Sequence, residues 1–189
     1  MLDLKATPDF PQRIDKVRTF INDNSTHEID ATFWANHGNP TSFAAGLLAH
    51  AKGTLPECVH MECSTRTNLM GRILQALGYE TRVVAIFNSR SNLKSHSFLE
   101  VMNPETGGWE TQDADYDIYW RSKASGGRIS LADRAEAIDD IEPCGRTSCG
   151  WQHESREGIK AEKLKRCLDI ISIKAKGGSL LAVYEPRRS

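Results

Sequence analysis

The order of apolar and polar positions predicts a helical first half and a strand-rich second half. Ile14, Val17 and Ile21 recur at helical spacing with Arg13, Lys16 and Asp23 off that face, which predicts a helix over 12–23 after an irregular lead-in broken by Pro8 and Pro11. Residues 25–40 show no clear period. Phe33 and Trp34 there are expected to be buried, and 37–40 (HGNP) reads as a turn. A second helix is expected over 42–52, capped by Thr41 or Ser42 and stopped by Gly53. The strongest period lies at 63–77. Leu69, Ile73 and Leu77 stand four apart, Met70 and Leu74 lie beside them, and Gly78 is placed to end the helix.

After Gly78 the period changes from helical to alternating. Residues 80–87 are rich in β-branched side chains and predict a strand. Residues 96–102 and 109–112 predict two more, joined through Asn103-Pro104-Glu105-Thr106-Gly107-Gly108, a composition typical of tight turns. Beyond Asp113 an acidic and aromatic run is read as the rim of a cleft or of the core. A short helix is expected over 130–137, a loop over 142–155, a charged helix over 155–166 with Lys160 to Arg166 as its solvated face, and a hairpin of strands 168–174 and 179–185.

Composition narrows the classes. At 189 residues, 39% hydrophobic and 26% charged, the chain suits one soluble globular domain that buries its own core. A net charge of −1 offers no field for nucleic acid, and no apolar run reaches membrane length. The first residues lack the apolar stretch of a signal peptide, so the expected location is cytoplasmic and the five cysteines are expected as free thiols.

The candidate chemistry lies between Cys63 and Asp113. Cys63 opens the strongest helix, where unpaired backbone N–H groups favour a thiolate and can hold an oxyanion. His96 opens a strand whose alternation sets His96, Phe98, Glu100 and Met102 on one side and Ser97, Leu99 and Val101 on the other. With Pro104 and Glu105 as the two central residues of the turn, His96 falls directly opposite Asp113, within reach of a hydrogen bond. A bulge at Gly107 would slip the pairing and bring in Asp115 instead. Nucleophile, base and orienting carboxylate are the three parts of a triad. Two other clusters carry metal-like residues: Cys58, His60 and Cys63, and Cys144, Cys149 and His153. The second offers three zinc ligands where a structural site needs four, so no metal and no cofactor is expected.

In order, Cys63, Gly78 to Val84 ("G-x-x-x-R-V-V"), His96 to Val101 ("H-x-F-x-E-V") and Trp109 to Asp113 ("W-x-x-x-D") resemble the transglutaminase-like superfamily of papain-related cysteine enzymes, over about 50 residues. Nineteen positions separate Cys63 from Arg82, as in that family. Phe98 stands where the family often has Trp, Met61-Glu62 replaces a usual glycine, and Ala114-Asp115 replaces a frequent Pro-Thr, the Asp113-Ala114 pair resembling the related peptide:N-glycanases. The resemblance implies an α+β fold with a papain-like core at about 42–121, flanked by 1–41 and 122–189 within a single domain, and a catalytic helix packed on an antiparallel sheet. It implies a cysteine protease, amidase or acyltransferase that forms a thioester on Cys63, with His96 moving protons and Asp113 orienting it. Substrates would be peptides, proteins or small amides. The alternative is a catalytically silent module that binds a peptide or carrier in the same cleft. A second oxyanion donor would come from upstream, with Trp34 and Asn36 as candidates.

Overall fold

A computed structural model describes residues 4, 7, 9–87, 95–131, 139–164, 172–176 and 179–183. Helix α1, Phe10–Asn24, begins earlier than its apolar stripe suggests. Pro11 sits in the first turn, where a missing N–H breaks no intrahelical bond, so it starts the helix instead of blocking it. Ile14, Val17 and Ile21 are fully buried, each stabilising the fold by about 1.5–3 kcal/mol relative to exposure.

The stretch without a clear period holds strand β1, Ser25–His27, and helix α2, Ala31–Asn36, capped by Asp30, whose carboxylate accepts the Phe33 N–H. Phe33 is buried, but Trp34 is 61% exposed, contrary to expectation. On a one-and-a-half-turn helix the two neighbours point about 100° apart, and one face alone meets the core. Helix α3, Pro40–Ala51, starts two residues before the expected one. Its cap is Asn39, which accepts the Ser42 N–H, and not Thr41 or Ser42. Strand β2, Val59–Met61, pairs in parallel with β1, and helix α4, Cys63–Ala76, follows at once.

The buried stripe of α4 is Arg66, Leu69, Met70 and Leu74. Leu77 is the cap residue and 43% exposed. Gly71 lies over β4, Ser95–Met102: a Cβ there would stand 3.2 Å from Leu99 Cδ1. The helix thus seats closely on the sheet that carries His96.

That sheet has seven strands. In chain order they are β3 (Thr81–Phe87), β4, β5 (Trp109–Asp113), β6 (Ile118–Ser122), β7 (Ile141–Cys144), β8 (Ser172–Lys176) and β9 (Ser179–Val183). Their spatial order is β7-β6-β5-β4-β3-β9-β8. The five from β7 to β3 are antiparallel, so the α+β class and the helix-on-sheet arrangement stand. Three features lie outside the sequence reading. Strands β6 and β7 occupy stretches expected as a rim and a loop. The β8–β9 hairpin, expected a few residues differently, joins the sheet through a parallel pairing of β9 with β3.

Alternation divides the core. Leu99 and Val101 face the helices, packing with Ile14, Phe43, Met70 and Leu74. Val84 and Phe98 face the other way, against Ile118, Trp120, Ile141 and Leu164. The charged helix expected over 155–166 is not formed across 155–161. Gly158 takes φ +70° and Glu154 bridges to Lys160, which turns the chain instead, and only 162–164 are helical among the described residues. The helix expected over 130–137 falls mostly outside the described residues.

The cysteines differ from expectation. Cys144 and Cys149 form a disulfide, and Cys58 and Cys63 are free thiols. The turn after β7, with Gly145 N–H bonded to Ser148 O, folds the two Cα atoms to 4.0 Å. Compartment reasoning from the first residues could not foresee that closure. The disulfide also removes both thiols from the zinc-like set, and His153 turns to Tyr116 O at 3.2 Å. No described helix is long and apolar enough to cross a membrane.

Candidate active site

Cys63 is the first residue of α4. The first intrahelical bond runs from Arg66 N–H to Glu62 O, so the N–H groups of Cys63, Ser64 and Thr65 have no acceptor within the helix. Donors and helix dipole together favour negative charge at that end. Cys63 is partly exposed.

His96 and Asp113 meet by a different register from the one expected. Asn103 N–H donates to Gly108 O and Gly107 N–H to Asn103 O, so the loop between β4 and β5 has four residues, Pro104–Gly107, with Gly107 at φ +69°. Leu99 therefore pairs with Gln112, a shift of two residues from the two-residue turn. His96 is diagonal to Asp113, not directly opposite. A shift of two leaves every side chain on its original face, and diagonal neighbours remain within reach of long side chains. His96 Nε2 lies 2.6 Å from Asp113 Oδ2, with both residues buried.

Asp113 is itself held. Its Oδ1 accepts the backbone N–H groups of Asp115 and Tyr116 at 2.9 and 3.2 Å. The Tyr116 ring stands edge-on to the His96 ring, centroids 5.4 Å apart. Cys63 lies near enough to this ring for its sulfur to act on the His96 pKa. Burial alone would disfavour the imidazolium. The charge and hydrogen bond of Asp113, with the sulfur of Cys63, outweigh it and hold the His96 pKa well above the ordinary 6.5. His96 is thus hydrogen-bonded to Asp113 at a strand end, and Cys63 stands near the same ring at a helix start.

Asp115, the reserve candidate, has another position. Its Oδ1 lies 2.8 Å from His27 Nδ1 and 2.8 Å from Arg66 Nη1. Arg66 Nη2 also donates to Glu157, which accepts the His27 backbone N–H as well. Burial would raise the Asp115 pKa, but the His27 hydrogen bond and the charges of His96 and Arg66 bring it below the usual carboxylate value. The His27 pKa rises in turn, chiefly through its hydrogen bond to Asp115. Sequence reasoning missed this cluster. A signal was present: Arg66 stands four residues before Met70 on the buried stripe, and a buried guanidinium requires carboxylates.

The remaining motif residues meet under the sheet. Arg82 Nε donates to Glu100 Oε2 at 2.7 Å and its guanidinium lies 4.2 Å from the Trp109 ring centre. Thr111 and Ser130 hydroxyls donate to Glu100 Oε1. This cluster fixes the register of β3, β4 and β5, and so the height of His96 relative to Asp113. The upstream donor candidates do not converge on a free position. Asn36 donates to Thr32 O and accepts from Ser42 Oγ, and Trp34 is largely exposed.

Beside Cys63, on the side of α4 turned to α3, a cavity of about 300 Å³ is bounded by His37, Asn39, Phe43, Ser64, Asn68 and Arg72. Its lining mixes apolar side chains, Phe43 and Leu69, with polar ones. It begins one residue after Cys63 and runs along the helix.

No protein family, curated protein or solved structure matches the chain.

Proposed function

We propose that the chain is a cysteine-dependent enzyme acting on amide or related acyl bonds, with Cys63 as nucleophile, His96 as proton carrier and Asp113 as orienting carboxylate. The 2.6 Å hydrogen bond between His96 and Asp113, with Cys63 near that ring at the start of α4, carries the reading. The sulfur attacks the acyl carbon, and the oxyanion forms against N–H groups at the start of α4. His96 donates its proton to the departing amine as the C–N bond breaks, leaving a thioester on Cys63. Water or a second amine then gives its proton to His96 and takes the acyl group, releasing the thiol. An imidazolium held by Asp113 favours the ion pair with a thiolate before substrate arrives. The cavity along α4 is the place for the acyl side of a peptide or small amide.

The test is intact-mass measurement after incubation with a panel of amides and activated esters. One acyl group on Cys63 in the wild type, absent in Cys63→Ser, supports the enzyme. If no substrate in the panel acylates Cys63 while the free thiol stays titratable, the enzyme reading fails and a binding role takes its place.

A further inference from the structure

Among the described residues Cys58 is, with Cys63, a free thiol, and its surroundings are organised. His50, in the last turn of α3, sets Nε2 at 3.5 Å from Cys58 Sγ. The other ring nitrogen, Nδ1, lies 2.9 Å from Asn24 Oδ1. The Asn24 amide nitrogen donates to Phe20 O at 2.7 Å, which settles which end of the amide faces the ring. An oxygen opposite Nδ1 requires that Nδ1 carry the proton of a neutral imidazole. Nε2 is then an unprotonated acceptor aimed at the thiol.

On its other side the sulfur meets a cation. Arg156 Nη2 donates to Cys58 Sγ at 2.9 Å. That guanidinium is anchored: Nη1 donates to the carbonyls of Asn22, Asp23 and Ser25, where α1 passes into β1. A cation at that end is also favoured by the helix dipole. A base with its tautomer set by an amide, a sulfur and a fixed guanidinium are the parts that generate and hold a thiolate. Nothing in the reading of Cys63 uses them. The residues come from α1, α3, the segment before β2 and the 155–157 turn, so no local motif announces them.

We propose that Cys58 is a second activated thiol and a modification site, and that its reactant is a hydroperoxide. The Cys58 proton passes to His50 Nε2. The thiolate attacks the distal peroxide oxygen, forming an S–O bond as the O–O bond breaks. The departing hydroxide or alkoxide takes the proton from His50 and leaves as water or alcohol. Sulfur is oxidised by two electrons to sulfenic acid and the peroxide is reduced by two. The guanidinium, already on the sulfur, offsets its negative charge before attack. This inference is independent of the role given to Cys63.

The experiment treats the full chain, wild type and Cys63→Ala, with limiting hydrogen peroxide in the presence of a 1,3-dione that traps sulfenic acid. Labelled peptides are then quantified by mass spectrometry over time. The expected result is a dione adduct on Cys58 in both proteins, forming faster than on glutathione under the same conditions. His50→Gln keeps a polar side chain but no base, and should slow Cys58 labelling roughly tenfold or more, with the circular dichroism spectrum unchanged. Labelling of Cys58 no faster than glutathione in the wild type overturns the proposal, whether or not the His50 variant folds. So does a folded His50→Gln protein labelled at the wild-type rate.

Discussion

Asp113 and Asp115 stand two residues apart and do different work. Asp113 touches the imidazole of His96, whereas Asp115 neutralises a guanidinium that is fully buried. Asp113→Asn is therefore expected to reduce acyl turnover strongly; the equivalent change in a serine triad costs about 10⁴, and a cysteine enzyme, able to form its thiolate before substrate binds, loses less. Because Asp113 raises the His96 pKa, the same variant should shift the alkaline fall of the pH–rate profile to lower pH. A profile that keeps its alkaline limb would show that Asp113 does not act through His96. Asp115→Ala instead leaves Glu157 as the one carboxylate paired with Arg66 among the described residues. Removing one member of a buried pair costs about 3–5 kcal/mol, so urea denaturation should show a large loss of stability. Wild-type stability in that variant would mean that Arg66 is solvated.

At the scale of elements, the loop between β4 and β5 decides which carboxylate meets His96. Gly107 takes a left-handed φ of +69° with open space where a Cβ would stand. Gly107→Ala should thus destabilise by about 1–2 kcal/mol through the backbone alone, read as a lower denaturation midpoint with unchanged slope. Asn103 holds the same loop, its Oδ1 accepting the Glu105 and Thr106 N–H groups and its Nδ2 donating to Glu110. The turn composition was legible, but its length was not. A two-residue and a four-residue loop differ by two positions, so both keep His96 and Asp113 on one face, and the face was therefore read correctly from a wrong register. Helices α1 and α4 were legible because an apolar stripe at helical spacing persists for about two turns in each. The short α2, β1 and β2 have no such run.

For the whole molecule, histidine–carboxylate pairs link stability to pH, among them His96–Asp113, His27–Asp115 and His60–Asp30. The pKa values of His96 and His27 are both raised on folding, so the folded protein binds protons more tightly than the unfolded chain. Their contribution is complete below the ordinary 6.5 and is lost as pH rises through the raised folded values. The melting temperature should accordingly fall as pH increases above 6.5, and His27→Gln should flatten part of that slope. An identical slope in the variant would remove His27 from the linkage. The disulfide spans a separation of five residues. Closing so short a loop is worth about 2 kcal/mol in the chain-entropy picture, so reductant should lower the melting temperature without unfolding the protein. An unchanged melting temperature after complete reduction would contradict that.

Local order was enough to identify the elements that carry the site: an apolar stripe starting at Cys63, an alternating run starting at His96 and a strand ending at Asp113. Those readings rest on periodicity, which the chain expresses residue by residue. Tertiary structure decided what periodicity cannot encode. It closed the Pro104–Gly107 loop at four residues, set β9 beside β3, joined Cys144 to Cys149, and moved Asp115 from reserve partner of His96 to counter-ion of Arg66. It also gathered Asn24, His50 and Arg156 around Cys58. Each of these depends on where distant segments meet once hydrophobic burial has brought the elements together, because a buried charge or an aimed imidazole takes its meaning from neighbours that the chain order does not reveal.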